Sequence, residues 1–115
     1  MNREGARAED LCADLLRAAG LRLVERNWRC RLGEIDLLAE ERGTLVFAEV
    51  RMRGPGHFGG AAESITPRKR ARLVAAANGY LALLGREPPC RFDAILLRAL
   101  DAGTIEWRRD IVGVE

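Results

Sequence analysis

The chain has 115 residues, of which 48% are hydrophobic and 31% charged, a mixture that excludes a disordered or collagen-like chain and predicts one globular domain over residues 1–115. The 19 basic and 17 acidic residues leave a net charge of only +2, so total charge does not by itself indicate a polyanionic ligand. No apolar run reaches the ~18 to 20 residues of a membrane span and the chain opens on charged residues, so we expect a cytoplasmic protein with no membrane partner.

Cysteine and histidine spacing argues against a zinc site and a disulfide framework. Cys12, Cys30 and Cys90 lie far apart, and His57 is the only histidine. We therefore expect reduced, buried thiols. Arginine supplies 18 of the 19 basic residues, the exception being Lys69. The base composition of the genome and a need for bidentate phosphate contacts would each explain that bias.

Hydrophobic spacing predicts a helix and then three strands in the first half of the chain. Apolar residues recur every three or four positions over 4–19, and Gly20 follows as a helix terminator. Alternating segments bounded by turn signals predict strands over 21–31, 34–40 and 45–51. These three strands are expected to form a β-meander.

The second half begins with a glycine-rich segment, 54–60, whose composition predicts a loop of the kind that often carries function. A second helix is expected to start at Thr66, which caps it, and Pro67, and to end at Gly85. Two final strands are predicted over 91–98 and 104–112. The predicted order is α-β-β-β-α-β-β, an α/β fold.

The hairpin of the second and third strands is the most informative part of the sequence. If 42–43 are the two central turn residues, cross-strand partners have residue numbers that sum to 85. Asp36 then faces Glu49, and Glu34 faces Arg51. A three-residue turn would shift this register and separate Asp36 from Glu49.

Strand alternation divides the hairpin into two faces. One face is wholly apolar and is predicted to be core: Ile35, Leu37, Ala39, Val46, Ala48 and Val50. The other is apolar near the turn and charged at the far end: Glu34, Asp36, Leu38, Leu45, Phe47, Glu49 and Arg51. The second face is therefore expected to open into a polar site.

Like charges directly opposed across two strands destabilise a sheet, so the repulsion between Asp36 and Glu49 must be offset. A divalent cation is one solution, because Mg²⁺ binds one or two carboxylates together with waters and substrate phosphates. A structural ion-pair network through Arg51 is the other. The sequence leaves both solutions open.

Several motifs resemble the YraN-like family of small bacterial proteins. They span nearly the whole chain: 5–9, 26–27, 33–37, 47–51, 58–59, Lys69 and 91–93. That family is similar in turn to the restriction-endonuclease-like nucleases, of which archaeal Holliday-junction resolvases are the nearest well-understood relatives. The resemblance implies a restriction-endonuclease-like core, in which helices flank a mixed central sheet.

The same resemblance implies a catalytic site. The nuclease signature is an acidic residue, a second acidic residue on a strand, and E-x-K on the adjacent strand, which places Glu9, Asp36 and Glu49 as ligands of Mg²⁺ or Mn²⁺. Arg51 stands where the signature lysine is expected. Arginine is a poor base, with a pKa above ~12, although it stabilises developing negative charge on a phosphate.

The start of the second helix is strongly basic. Four residues there and one on the preceding segment are predicted to contact phosphates: Arg53, Arg68, Lys69, Arg70 and Arg72. Positive charge opposes the dipole at a helix start, and the free N–H groups of such a start bind anions, so this placement favours a polyanion. A solvated basic face is the alternative.

These observations predict a metal-dependent endonuclease that acts on DNA phosphodiesters, and specifically on branched or structured DNA, since the chain has no room for a separate sequence-reading domain. A resolvase that cuts two strands symmetrically is expected to be a homodimer. One alternative is a non-catalytic nucleic-acid-binding protein on a nuclease scaffold, because arginine replaces the lysine. Another is a structural protein with a coincidental acidic hairpin.

Overall fold

The computed structural model of the chain describes residues 3–52 and 66–112. Its elements, in chain order, are α1 (Arg3–Ala18), β1 (Arg22–Cys30), β2 (Gly33–Glu41), β3 (Thr44–Met52), α2 (Pro67–Leu84), β4 (Cys90–Leu97) and β5 (Ile105–Arg108). The predicted α-β-β-β-α-β-β order is confirmed. The glycine-rich segment 54–60 and Arg53 lie outside the described residues. Neither of the two described helices is long and apolar enough to cross a membrane.

The strands form one five-stranded sheet in the order β1-β2-β3-β4-β5. The first three strands make the predicted antiparallel meander, and β5 pairs antiparallel with β4. In contrast, β3 and β4 are parallel, so the chain must cross from one end of the sheet to the other between them, and α2 lies in that crossover. The sheet is therefore mixed, as the resemblance implies.

A helix covers each face of the sheet, so both faces are buried. The α1 side holds a cluster of small and aliphatic side chains that includes Ala8, Cys12, Leu16, Leu37, Ala39, Val46, Ala48 and Ile95. The α2 side is built from Ile35, Leu38, Leu45, Phe47, Leu73, Ala76 and Ala77, with Phe92 and Tyr80 packed against it. Small residues on both helices let them approach the sheet closely, and burial of these side chains is the main force that holds the layers together.

The ends of α2 follow the predicted capping pattern. The Thr66 hydroxyl accepts a hydrogen bond from the Lys69 backbone N–H at 3.2 Å, and Pro67 occupies the first turn. At the other end, Gly85 has a φ of 77° and donates its N–H to the Leu81 carbonyl. The cap fixes where α2 begins, which places Lys69 in its first turn.

The last predicted strand is shorter than 104–112. A single 3₁₀ turn occupies Ala102–Thr104, and β5 ends at Arg108. The chain then turns at Asp110, which has a φ of 57°, and the Ile111 N–H donates to the Phe92 carbonyl at 2.7 Å. The strand ends because hydrogen bonds to β4 bend the chain back over the sheet.

The cysteine prediction is confirmed only in part. All three thiols are free, and Cys12 is fully buried against the sheet. Cys30 is half-buried and Cys90 is exposed at the start of β4, so burial was wrong for Cys90. Spacing along the chain indicates whether cysteines pair, but it does not determine how deeply each one is buried.

The hairpin register is confirmed near the turn and fails beyond it. Arg42 and Gly43 both have positive φ, as the predicted two-residue turn requires, and the ladder pairs sum to 85 as far as Leu37 with Ala48. The ladder ends there, so neither Asp36 with Glu49 nor Glu34 with Arg51 forms a ladder pair. Beyond this point β2 remains paired with β1 as far as Gly33, whereas β3 remains paired with β4 as far as Met52. The sheet forks between β2 and β3.

The fork also changes the face on which Ile35 lies. Alternation places Ile35 beside Leu37 on one core face, but Ile35 packs on the α2 side and Leu37 on the α1 side. The change of face falls at Asp36, across from Asn27 of β1, whose φ is 53°. The predicted face was wrong for Ile35 because alternation along β2 is not regular at the fork, where β1, the strand that remains paired with β2, also contains a left-handed residue.

Candidate functional site

A cleft of about 320 Å³ opens at the fork in the sheet. Its walls come from the first turns of α1, the start of β2 and the end of β3: Gly5, Ala8, Glu9, Glu34, Asp36, Glu49, Val50, Arg51 and Met52. All four residues predicted to be catalytic therefore line one cleft. The ladder pairing that was predicted to oppose Asp36 and Glu49 does not extend this far.

Glu9 is held in the cleft wall by β1. Its side chain is buried, with the residue 8% exposed, and its Oε1 atom accepts a hydrogen bond from Asn27 Nδ2 at 3.0 Å. The Arg26 guanidinium lies 3.5 Å from the same oxygen. Asn27, which donates this hydrogen bond, has a left-handed backbone conformation, and asparagine tolerates that conformation better than most residues. Glu9 is thus a positioned carboxylate with one oxygen already in use.

Asp36 occupies the point at which the two strands separate. Its Oδ2 atom accepts a hydrogen bond from the Val50 backbone N–H at 2.8 Å, so the side chain takes the place of a strand-to-strand bond. Burial, together with the negative charges of Glu49, Glu34 and Glu9, raises the pKa of Asp36 to about 7 against the lowering effect of the Val50 hydrogen bond. Asp36 is therefore a carboxyl group that exchanges its proton near neutral pH.

Glu49 is the least satisfied of the carboxylates. Its Oε1 atom lies 3.5 Å from the Arg51 guanidinium, a long contact. Its Oε2 atom and the Arg51 Nε atom are buried and have no hydrogen-bond partner in the described part of the chain. Burial raises the pKa of Glu49, and the positive charges of Arg51, Lys69 and Arg72 oppose that rise. The structural ion pair considered above forms, but it satisfies only one of the two oxygens.

Cys12 lies beneath the carboxylates, on the buried side of α1. Burial raises the pKa of its thiol to about 12, and the charges of Glu9 and Asp36 add to the rise, so the group stays neutral. Sequence reasoning missed both this residue and Asn27 as parts of the site. The one available signal was that 26–27 belongs to the motifs of the resemblance.

The donor set fits a hard divalent cation. Among residues 3–52 and 66–112, no group of three or more His, Cys, Asp or Glu side chains is arranged so that it could hold a metal ion. Two carboxylates nevertheless suffice for Mg²⁺, which keeps waters and takes substrate oxygens in its remaining positions. The Glu49 Oε2 atom, which has no hydrogen-bond partner within residues 3–52 and 66–112, and the raised pKa of Asp36 both indicate negative charge that these residues do not fully compensate. A cation bound between Asp36 and Glu49 would compensate that charge.

The basic start of α2 lies beside this cleft. Lys69 is half-buried and its charge acts on Glu49, as does that of Arg72, whereas Arg68 is exposed. Arg70 is directed elsewhere, because one of its guanidinium nitrogens donates to the Ile111 carbonyl at 3.4 Å. The predicted phosphate-binding set is thus brought together only in part, and Arg53 lies outside the described residues.

Gly33 explains why α2 comes so near. A Cβ atom at this position would lie 2.5 Å from the Arg72 carbonyl oxygen, a separation too short for any side chain. The start of β2 and the second turn of α2 are therefore in direct backbone contact. This contact brings the first turn of α2 to the same end of the sheet as Glu34 and the cleft.

A mixed sheet with a helix on each face and buried carboxylates at a fork in the sheet defines an α/β domain with an acidic cleft. Within that class, the chain belongs to the uncharacterised protein family UPF0102, whose family model matches residues 8–97. The resemblance to the YraN-like family is thereby confirmed. The matched region includes Glu9, Asp36, Glu49, Arg51 and all the basic residues of α2.

Relatives from several bacteria match almost the whole chain. A UPF0102 protein of Nitrosococcus oceani is 51% identical over 97% of this chain and 93% of its own length. Another, of Nitrosomonas europaea, is 49% identical over 93% of this chain and 91% of its own length. One of Cupriavidus taiwanensis is 55% identical over 90% of this chain and 77% of its own length. These matches establish the family, and their names indicate no activity.

Proposed function

We propose that this protein is a metal-dependent endonuclease that hydrolyses DNA phosphodiesters. The observation that carries the proposal is the pair Asp36 and Glu49: two half-buried carboxylates with raised pKa values beside a basic helix start, one of which has a buried oxygen without a hydrogen-bond partner among the described residues. Perturbed acids in a cleft are typical of functional sites, and a structural acid would be expected to have all its partners.

Asp36 and Glu49 would hold Mg²⁺ or Mn²⁺ directly. Glu9 completes the acidic wall of the cleft. Because its Oε1 atom already accepts a hydrogen bond from Asn27, Glu9 would act from the outer part of the site or bind the cation through its other oxygen. When bound, the cation supplies Lewis-acid polarisation of the phosphate and activation of the attacking water. The chain's own residues hold that cation, shield the site from bulk water and stabilise charge.

The reaction is hydrolysis of one ester bond. A water oxygen forms a bond to phosphorus, and the bond from phosphorus to the departing sugar oxygen breaks. The water gives up one proton and the departing oxygen takes up one, so one DNA end keeps the phosphate and the other gains a hydroxyl. Arg51 stabilises the extra negative charge on the phosphate in the transition state.

The substrate is proposed to be branched or structured DNA. Arg68, Lys69 and Arg72 at the start of α2 would contact phosphates, which fix position and orientation without reading base sequence. A two-fold homodimer would present two such clefts to a four-way junction. Sedimentation that shows only monomer, with and without junction DNA, would exclude symmetrical resolution and leave cutting at a single site.

The test is cleavage of linear, flapped and four-way DNA in Mg²⁺ or Mn²⁺ by wild type, Glu49→Gln and Glu106→Gln. The last is the matched control, since Glu106 is an exposed residue of β5 that pairs with Arg108. Wild type and the control should cleave, and Glu49→Gln should not. Calorimetry on the same proteins measures their affinity for the metal ion. If Glu49→Gln binds the metal ion as tightly as wild type does, the ligand assignment is wrong.

The second candidate is a non-catalytic DNA-binding protein on a nuclease scaffold. The observation in its favour is Arg51, which stands at the place of the signature lysine and is engaged with Glu49. It predicts that metal and DNA bind to wild type without cleavage. Cleavage that appears only in Arg51→Lys would establish this reading.

A further inference from the structure

We propose that Lys69, in the first turn of α2, provides the ammonium group that contacts the scissile phosphate or the attacking water. This inference rests on the proposed nuclease function and names a catalytic residue for it. It gives Arg51 a narrower role, as a fixed positive charge beside Glu49.

The placement of α2 is the first argument. The Thr66 cap and the backbone contact of Gly33 with Arg72 together fix the first turn against the end of the sheet where the cleft opens. Lys69 is half-buried in this turn, while its neighbour Arg68 is exposed. The charge of Lys69 acts on Glu49, which lines the cleft. The residues that line the cleft come from α1, β2 and β3, so Lys69 lies outside this lining and its charge acts on the cleft from α2.

The second argument is chemical. Arg51 has one guanidinium nitrogen 3.5 Å from Glu49 Oε1 and a buried Nε atom, so its planar group is constrained by burial and its charge is partly paired. An ammonium group at the end of a flexible four-carbon chain turns its three donors toward whatever oxygen is presented to it. Contact with a moving phosphate or water suits lysine better than a constrained arginine.

Composition gives the third argument. Of the 19 basic residues, 18 are arginine and Lys69 is the exception. The charge of this one lysine acts on Glu49, a carboxylate of the cleft. That coincidence is expected if the position needs the compact, strongly hydrated ammonium group specifically.

A single lysine also makes the proposal directly observable. Lysine labelled with ¹³C at Cε gives one side-chain NMR signal, and Arg86→Lys adds a reference signal from an exposed position just beyond the opposite end of α2. The Lys69 signal should shift when Mg²⁺ is added and when Glu49 is changed to Gln, whereas the reference signal should stay in place. If neither change moves the Lys69 signal, the residue is not at the site and the inference is wrong.

Cleavage assays separate this inference from the function on which it rests. Lys69→Arg keeps the charge, so DNA affinity should stay within about threefold, while kcat should fall because the planar guanidinium cannot place its donors where the ammonium does. Lys69→Met removes the donor and should lower kcat about 100-fold. Arg86→Lys should cleave like wild type. If Lys69→Arg also cleaves like wild type, the role of Lys69 is wrong and the nuclease proposal stands. If wild type with bound metal cleaves no DNA in the panel, both are wrong.

Discussion

Carboxylates with little exposure to solvent occur in two regions of this molecule, fully buried at Asp93 and half-buried at Asp36 and Glu49, and the two regions partner them differently. Asp93 on β4 is 0% exposed and fully partnered. Its two oxygens accept from Arg91 Nε at 3.0 Å, Trp107 Nε1 at 2.9 Å and the Asp110 backbone N–H at 2.9 Å. The Arg91 guanidinium also reaches Glu41 at 3.0 Å, so one network ties β2, β4, β5 and the turn at Asp110 together.

Among the described residues, Asp36 and Glu49 form no such network. Asp36 accepts from the Val50 N–H beside three negative charges, and Glu49 lies 3.5 Å from Arg51 while its Oε2 atom accepts no hydrogen bond from these residues. Burial of a charge without full pairing lowers stability, whereas a fully partnered buried charge fixes structure. The difference indicates that Asp93 serves the fold and that Asp36 and Glu49 are kept for something the chain alone does not supply.

The largest effect is expected from Asp93→Ala. Removing this carboxylate leaves Arg91 and Trp107 without their main acceptor, so the free energy of unfolding should fall by about 3–5 kcal/mol. Urea unfolding followed by circular dichroism measures the loss. Glu106→Ala is the control, because its pair with Arg108 is exposed and should contribute at most about 0.5 kcal/mol. A loss at Asp93 below 1 kcal/mol would remove the contrast between the two regions.

The cleft should respond in the opposite direction. A raised pKa means that the folded state holds the Asp36 proton more tightly than the unfolded state does. Its contribution to stability is therefore complete below the unfolded pKa of 3.8 and is lost as the pH rises through about 7. Asp36→Asn removes that loss and should stabilise the metal-free protein at pH 8 by about 1–3 kcal/mol.

Urea unfolding at pH 5 and pH 8 tests this prediction. The stabilisation by Asp36→Asn should be clearly larger at pH 8 than at pH 5. Asp14→Asn on the exposed side of α1 serves as the control and should be neutral at both pH values. Destabilisation by Asp36→Asn at pH 8 would mean that the carboxylate is a structural group, like Asp93.

Added Mg²⁺ should offset the instability of the cleft. If the cation binds between Asp36 and Glu49, wild type at pH 8 should gain about 1.4 kcal/mol at a Mg²⁺ concentration ten times its Kd. Glu49→Gln should gain much less, and Glu106→Gln should gain as much as wild type. Equal gains in all three proteins, measured by thermal unfolding, would place the cation elsewhere.

The smallest effect concerns DNA affinity and tests which region faces the phosphates. The double variant Arg68→Ala, Arg72→Ala should lower the salt dependence of DNA binding by about two phosphate contacts, a change of ~1.8 in the slope of log K against log salt. Arg109→Ala should leave the slope unchanged, because Arg109 stacks on Trp107 beside the Asp93 network. Fluorescence anisotropy over a salt series provides the slopes. An equal decrease in both proteins would mean that DNA binding is spread over both regions.

Short-range patterns in the sequence predicted most of the fold. Helical spacing, the Thr66 cap, the Gly85 terminator and the two-residue turn at 42–43 are local features, and each appears in the structure. The register they imply holds for every ladder pair of β2 with β3. Local chemistry thus determines the elements and their immediate neighbours.

Features that depend on distant contacts could not be predicted from the residues. The fork arises because β2 follows β1 while β3 follows its parallel partner β4, and alternation within one hairpin contains no information about either. The early end of β5 depends on Asp93, a residue 17 positions before Asp110. The candidate site was predicted chiefly through the resemblance, since the opposition of Asp36 and Glu49 was derived from a pairing that does not form.

Gly33 has a consequence for how firmly the two layers are spaced. Layers that meet through side chains can move closer or farther apart when a core residue changes size, but here backbone meets backbone at a separation that admits only hydrogen. The contact therefore acts as a mechanical stop. A smaller side chain at Leu73 would therefore leave a cavity, because the second turn of α2 cannot move closer to β2 to fill it.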